Sequence, residues 1–210
     1  MKRLGGTRSG AARDASTAIP PAVAHSRFAR GGKGETIGFT AASTPFGWMV
    51  AGATGQGLCW LALAHTQSEA VAALHAAFSA AMLRRDSSLK KFLQAALDSV
   101  REPARGRRAP VPLDLRGTEF QLRVWQALCK IPRGQTRSYA QLARAIGNPQ
   151  ATRAVARACA ANRVAILVPC HRIVGADGAL TGYRWGVERK QSLLRAEGAT
   201  VRPSSRFDDK

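Results

Sequence analysis

The chain has 210 residues, of which 45% are hydrophobic, and it carries 32 Lys and Arg against 13 Asp and Glu. The hydrophobic content excludes a wholly disordered chain, and the length suits one large domain or two small ones. The formal net charge of +19 indicates an anionic partner, because such an excess otherwise only adds self-repulsion. Nucleic acid is favoured and a membrane surface is the alternative, although no apolar run approaches the ~18 residues of a spanning helix.

Residues 1–35 are interpreted as a flexible basic tail, because Lys and Arg are interspersed there with Gly, Ala and Ser. The tail lacks the continuous apolar run of a secretory signal peptide. A transit peptide is also rich in Arg and poor in acidic residues, so that alternative stays open.

The four cysteines, Cys59, Cys129, Cys159 and Cys170, include no pair at metal-ligand spacing. A zinc site is therefore not expected. A disulfide framework is not expected at this length and cysteine density. The favoured interpretation is free thiols in a reducing compartment, the cytoplasm, which leaves open whether one of them is reactive.

Residues 36–100 are predicted to form a small α+β domain. Short apolar runs separated by Gly-rich turns predict three strands, at residues 36–40, 47–53 and 57–64. Apolar residues at helical spacing predict two helices, over residues 68–83 and 89–100. Residues 101–112 are rich in Arg and Pro and are predicted to be an exposed linker.

Residues 113–198 are predicted to form a mainly helical domain that is followed by a C-terminal tail, residues 199–210. Two capping-box patterns, from Thr118 to Gln121 and from Ser138 to Gln141, predict helix starts. In such a box the two side chains satisfy the free backbone N–H groups of the first helical turn.

The second of these helices is predicted to end at Gly147, a residue type that is typical of helix ends. A short turn at residues 148–150 and a third helix over residues 151–161 follow. Helix, short turn and helix form the layout of a helix-turn-helix DNA reader.

The third predicted helix combines small residues, including Ala151 and Ala154, with Arg153 and Arg157 on one side. Small residues allow close approach to a DNA groove, and arginines reach phosphates or displaced bases. A surface helix pair with solvated arginines is the alternative. The pattern alone does not decide between them, and the net charge favours DNA.

The chemical centre is predicted where a buried strand over residues 164–168 ends at Pro169. Cys170, His171 and Arg172 follow directly. A thiol reacts as its thiolate, so a nucleophilic cysteine needs a base or a positive neighbour, and His171 and Arg172 supply both. A buried structural cysteine beside a hydrogen-bonded histidine is the alternative, and a lone Cys-His pair favours it.

Glu197 lies in the last turn of a helix predicted over residues 187–197, just before Gly198. The helix dipole disfavours a carboxylate at this end, and such a local violation is typical of functional residues. Glu197 could orient His171, which would then deprotonate Cys170. An ordinary exposed glutamate is the alternative.

Two motifs resemble the active site of the O6-alkylguanine-DNA alkyltransferases. They are Pro-Cys-His-Arg-Ile-Val at residues 169–174 and Gly-Tyr-Arg-Trp-Gly at residues 182–186. Residues 113–118 and 158–162 are most similar to the C-terminal part of the bacterial Ada-type members. The resemblance is strong from about residue 112 to residue 198 and faint before that.

The resemblance implies a specific α+β architecture. A small RNase-H-like N-terminal domain would precede a mainly helical, winged-helix-like domain that contains the helix-turn-helix.

The resemblance also implies a self-inactivating transfer of an alkyl group to Cys170, which needs no metal or diffusible cofactor. His171 would act as the base through a bridging water, and Glu197 would orient His171. Asn162 would join the helix-turn-helix to the active site. The enzyme class is a methylated-DNA–protein-cysteine S-methyltransferase with a single turnover, because no routine protein step reverses a thioether.

The partner implied by the resemblance is double-stranded DNA that contains O6-alkylguanine, with O4-methylthymine as a further substrate to consider, bound by a monomer. Tyr139 and Arg153 would rotate the nucleotide out of the duplex, as base flipping requires, and Tyr183 would line the alkyl pocket. The remaining residues assigned to DNA or substrate contact are Arg172, Ala151 and Ala154.

Three alternatives remain beside this hypothesis. A transcription regulator of the Ada type would need the cysteine cluster that accepts methyl groups from phosphotriesters, and this sequence has none. A non-enzymatic sensor of alkylated bases would lack the acceptor cysteine, whereas Cys170 is present. A cysteine hydrolase using Cys170 and His171 would turn over repeatedly and would not need the charge or the helix-turn-helix.

Overall fold

The computed structural model of the chain describes residues 31–101 and 111–200. Most of the predicted basic tail, linker and C-terminal tail lies outside these ranges. The described residues form an α+β fold with a four-stranded sheet in the first half and most of the helices in the second. Within this part of the chain no helix has the length and apolar character needed to cross a membrane.

The sheet confirms the three predicted strands and adds a fourth. Its strands are β1 (Thr36–Thr44), β2 (Gly47–Thr54), β3 (Gly57–Ala64) and β4 (Met82–Arg85), in the order β3-β2-β1-β4. The first three strands form an antiparallel meander, and β4 pairs parallel with β1. The sequence favours this arrangement because the apolar runs are short and are separated by tight turns.

Helix α1 (Gln67–Ala77) follows β3, and helix α2 (Lys90–Arg101) follows β4. The predicted helix over residues 68–83 was therefore too long at its C-terminal end. The backbone N–H of Met82 donates to the carbonyl of Glu35 and starts the pairing of β4 with β1. Pairing with β1 satisfies the backbone polar groups as well as a longer helix would, so the apolar spacing alone did not set the boundary.

The second half contains α3 (Glu119–Cys129), α4 (Tyr139–Ala145), α5 (Thr152–Ala160) and α6 (Val187–Ala196). Both predicted capping boxes are formed, at the start of α3 and of α4. Gly147 has a φ of 74°, the left-handed conformation that ends helices. Two short strands, β5 (Arg137–Ser138) and β6 (Ile173–Val174), pair in parallel.

The predicted strand over residues 164–168 was wrong. Val164 forms one isolated bridge with Leu61 of β3, and the chain then turns. Ile166 has a φ of 68°, which is strained for a β-branched residue. A short buried apolar run is compatible with strand or turn, and here tertiary contacts select the turn.

The two halves share one hydrophobic core. Leu61 on β3 accepts a hydrogen bond from the N–H of Ala165 at 2.8 Å and donates its own N–H to the carbonyl of Arg163 at 2.9 Å. Leu58 pairs in the same way with residues 112–114. The edge of the sheet therefore supports the turn that leads to Cys170.

Candidate active site

Residues 162–172, called the thiol turn below, carry Cys170 at the start of a short 3-10 helix, Cys170–Arg172. The side chain is buried, with 6% of the residue exposed. Its Sγ accepts a hydrogen bond from Asn162 Nδ2 at 3.2 Å. Burial raises the pKa of the Cys170 thiol to about 11, against the lowering effects of the Asn162 hydrogen bond and of Lys190.

The other three cysteines also have raised thiol pKa values. Burial raises the pKa of Cys59 to about 12 and that of Cys129 to about 12, and it raises the pKa of Cys159 further still. All four thiols are free. Of the four, Cys170 is the thiol whose Sγ accepts a side-chain hydrogen bond, from Asn162, and that bond favours the thiolate against the effect of burial.

Asn162 holds the two ends of the thiol turn together. Its Oδ1 accepts the backbone N–H of Val164 at 2.9 Å, and its Nδ2 donates to the carbonyl of Val168 at 2.9 Å as well as to Cys170 Sγ. Asn162 is 1% exposed and comes directly after α5 and Ala161. The Asn162 amide therefore closes the turn and also donates to the sulfur. Because Asn162 comes directly after α5 and Ala161, the position of the sulfur depends on that helix.

His171 and Glu197 form a fully buried pair, with 3.0 Å between His171 Nε2 and Glu197 Oε1. Burial lowers the pKa of His171, so the ring is neutral at pH 7. A carboxylate partner at Nε2 favours the tautomer with its proton on that nitrogen. Nδ1 then carries a lone pair, and within the described residues it makes no hydrogen bond.

Glu197 is the residue that caps the C-terminus of α6, one position beyond the helix, and only 3% of it is exposed. The alternative of an exposed glutamate is thereby removed. Although burial alone would raise the pKa of Glu197, the hydrogen bonds from His171 and Arg172 and the positive charge of Arg172 lower it to about 2. The carboxylate is ionised over the whole physiological range.

Arg172, which the sequence analysis assigns to DNA or substrate contact, is buried. Its Nε and Nη2 donate to the Glu197 carboxylate at 3.0 Å and 2.8 Å, and its Nη1 donates to the carbonyl of Ile131. Only 6% of the residue is exposed. In this position Arg172 compensates the charge of Glu197 and fixes the carboxylate that faces His171.

Lys190 on α6 is a buried cation that sequence reasoning missed. It is 1% exposed, and its Nζ donates to the carbonyl of Thr181 at 3.2 Å. Burial lowers its pKa to about 8, while the nearby Cys170 and Cys159 thiols raise it. A sequence signal existed, since Lys190 occupies the same apolar stripe as Leu193 and Leu194 at spacings of three and four residues.

Two tyrosines flank the thiol turn. The Tyr139 hydroxyl lies 3.2 Å from Thr181 Oγ1. The Tyr183 ring meets His171 edge-on at 6.5 Å and Trp185 at 5.1 Å, and its hydroxyl is buried without a hydrogen-bond partner among the described residues. Tyr183 therefore contributes both a ring and an unpaired hydroxyl beside the histidine.

The predicted DNA-reading residues lie on or next to α5. Arg153 and Arg157 are exposed, whereas Ala151 and Ala154 are half-buried. α5 packs against α4 and is fixed to α3 by the Trp125 indole, which donates to the carbonyl of Ala158 at 2.9 Å. The structure thus connects the exposed arginines to the thiol turn through one short helix. No cluster of His, Cys, Asp and Glu suited to a metal ion occurs in the described ranges.

Residues 119–199 match the family model of the 6-O-methylguanine DNA methyltransferase DNA-binding domain. The chain is 42% identical over 172 residues to the bifunctional transcriptional activator/DNA repair enzyme Ada of Escherichia coli, covering 81% of this chain and 48% of that protein. It is 59% identical over 87 residues to the methylated-DNA–protein-cysteine methyltransferase of Mycobacterium tuberculosis, covering 41% of this chain and 53% of that protein. The chain spans about half the length of the curated relatives it matches.

Among solved structures, the chain is similar to Mycobacterium tuberculosis OGT in complex with DNA. The TM-score is 0.63 and the sequence identity 36%, over 77% of this chain and 92% of the other. The likeness therefore extends over the sheet half as well as the helical half, beyond the range that the family model matches.

Proposed function

The chain belongs to the family of the O6-methylguanine-DNA methyltransferases, and from that premise we propose that it repairs DNA by moving an alkyl group from the O6 atom of guanine to Cys170. One observation carries the proposal. The buried Cys170 thiol accepts a hydrogen bond from Asn162 and sits beside the His171–Glu197 pair, at the end of a turn that begins where a basic helix stops.

The proton path follows from the tautomer of His171. Glu197 accepts a hydrogen bond from Nε2–H of His171. The other ring nitrogen, Nδ1, is then free to take the Cys170 proton through a bridging water. Asn162 then donates to the thiolate, and Lys190 provides a positive charge nearby. Both groups lower the pKa of the Cys170 thiol and so oppose the effect of its burial.

The transfer itself forms one bond and breaks one. The thiolate attacks the saturated alkyl carbon, a carbon–sulfur bond forms, and the carbon–O6 electron pair leaves with guanine. The guanine anion takes up the proton that His171 holds. The thioether product has no leaving group that a normal protein step would release, so each molecule acts once.

DNA must present the alkyl carbon outside the base stack, because Cys170 is buried and cannot enter a duplex. Extrusion of a nucleotide costs a few kcal/mol. Arg153, exposed on α5, is suited to fill the gap in the stack, and Ala151 and Ala154 keep that surface narrow. Tyr139 assists the rotation and Tyr183 lines the alkyl pocket in this proposal.

The proposal also includes three finer points. Double-stranded DNA with O6-alkylguanine is the substrate, with O4-methylthymine as a second one to test, and the protein acts as a monomer. The sheet half is RNase-H-like and the helical half winged-helix-like. The antiparallel meander with a parallel fourth strand supports the first of these descriptions.

The decisive experiment is intact-mass analysis after incubation with duplex DNA that contains one O6-methylguanine. We expect one added methyl group per protein, located on Cys170, and no further turnover with excess DNA. Cys170→Ala should lose transfer and keep DNA binding, and Cys59→Ala, a buried thiol in β3, is the matched control that should keep both. Absence of an adduct would favour a sensor, and repeated turnover would favour a hydrolase.

A further inference from the structure

A groove of about 800 Å³ separates β3 and α1 from residues 161–163 and 184–189. Neither Cys170 nor His171 lines it. Its volume falls within the ~300–1,000 Å³ of small-molecule sites. The mechanism proposed above does not use this groove.

The walls of the groove carry cations that lack acidic partners. The Arg163 guanidinium lies 6.0 Å from the centroid of the Phe78 ring, and that of Arg184 lies 5.7 Å from the Trp60 ring. Neither arginine forms an ion pair within residues 31–101 and 111–200. The acidic residue lining the groove, Glu69, is engaged in the capping box of α1.

Two residues that line this groove each carry a buried donor that lacks an acceptor. Trp60 is 3% exposed, and its Nε1 makes no hydrogen bond in the part of the chain that the structure describes. The same holds for Nη1 of Arg163. Burial and the charge of Arg184 both lower the pKa of Arg163, as expected where like charges face each other without an anion.

We propose that this groove is a phosphate-binding site, which takes the phosphate group of a nucleotide or of a DNA strand. Arg163 and Arg184 supply two guanidiniums, whose planar donors match phosphate oxygens. The Trp60 indole supplies a third donor. A carboxylate has two oxygens and one arginine satisfies it, whereas three separate donors suit a tetrahedral oxyanion. This inference does not depend on alkyl transfer.

The Trp60 indole N–H gives a direct readout by ¹H–¹⁵N NMR, with Trp60→Phe to assign its resonance. Titration with inorganic phosphate and with a deoxynucleoside monophosphate should shift this resonance to saturation, whereas chloride at equal ionic strength should not. Arg163→Gln and Arg184→Gln should each raise the apparent Kd about tenfold. The matched control is Arg85→Gln, because Arg85 also lies over a ring, that of Phe39, but outside the groove.

A saturable shift that the arginine variants leave unchanged would overturn the proposal, and so would the absence of any saturable shift. Circular dichroism establishes that each variant is folded. If Arg163→Gln does not fold, Arg184→Gln carries the test, because that side chain is exposed.

A third titration identifies the source of the phosphate. If the groove holds a DNA strand, a short single-stranded oligonucleotide should shift the Trp60 resonance at lower concentration than the monophosphate. Arg184→Gln should then lower the salt slope of DNA binding by about one phosphate contact. If only the monophosphate shifts the resonance, the ligand is a free nucleotide, and if neither does, the groove is not a phosphate site.

Discussion

The thiol turn and the exposed face of α5 are built in opposite ways, although they are adjacent in the chain. In the thiol turn three polar side chains are buried and held by named partners: Asn162 by the backbone, and His171 and Arg172 by Glu197. On α5 the charges of Arg153 and Arg157 are exposed to solvent. A buried polar group is costly to leave unpaired, whereas a solvated charge is not.

Substitutions in the two regions should therefore have different effects. Changes in the thiol turn and its partners should alter folding and chemistry together. Changes on α5 should alter DNA binding and leave folding almost untouched. Four substitutions test this contrast.

Glu197→Gln should have the largest effect. It leaves the buried Arg172 charge without a counter-ion, and breaking a buried pair costs about 3–5 kcal/mol in the free energy of unfolding. Transfer should also slow, because His171 loses the carboxylate that selects its tautomer. Chemical denaturation and single-turnover transfer measure the two losses. Glu188→Gln, an exposed glutamate at the start of the same helix, is the control.

The pH dependence of stability checks the same pair. The folded-state pKa of Glu197 is about 2, below the ordinary glutamate value. Its contribution should therefore be complete above about pH 4.5 and be lost as the pH falls towards 2. An equal acid sensitivity of the wild type and Glu197→Gln would contradict this.

Asn162→Ala should have the second largest effect. It leaves the Val164 N–H without its acceptor and removes the donors to Val168 and Cys170, so about 2–4 kcal/mol of stability should be lost. The Cys170 pKa should rise, which the pH profile of thiol alkylation can follow. Asn148→Ala, at an exposed position without a side-chain cap bond, should change neither quantity.

Lys190→Met should change stability and alkyl transfer in opposite directions. Because burial holds the Lys190 pKa near 8, its charge destabilises the fold at pH 7, and Met should raise the free energy of unfolding by about 1–3 kcal/mol. The gain should shrink as the pH rises through 8, since Lys190 then loses its proton in the folded state. Transfer should slow several-fold because the thiolate loses a nearby positive charge. Lys91→Met, at an exposed position, is the control.

Arg153→Ala should have the smallest effect on folding, within about 0.5 kcal/mol, because the side chain is solvated. Transfer from duplex DNA should slow, and transfer from the free O6-methylguanine base should fall less. Arg84→Ala, an exposed arginine of β4, is the matched control. Equal losses on duplex and free base would argue against a role in extrusion.

The contrast also explains which predictions from sequence succeeded. The capping boxes, the end of the second helix at Gly147 and the three strands were confirmed, because each depends on a few neighbouring residues. The helix over residues 68–83 and the strand over 164–168 were wrong, because pairing with β1 and with β3 decided those segments. Neither partner strand can be identified from local spacing.

The residues of the candidate site also fall into those that local sequence patterns predict and those that long-range contacts position. Residue order and helical period were enough to predict that Cys170 is next to His171, that Glu197 lies at the end of α6, and that α5 is basic and carries small residues. Contacts between distant segments, in contrast, bring Arg172 to Glu197, bury Lys190 near Cys170 and let Asn162 close the turn. The apolar stripe of α6 indicates that Lys190 faces inward, but the hydrogen-bond partners of all three residues lie on segments that local spacing does not identify.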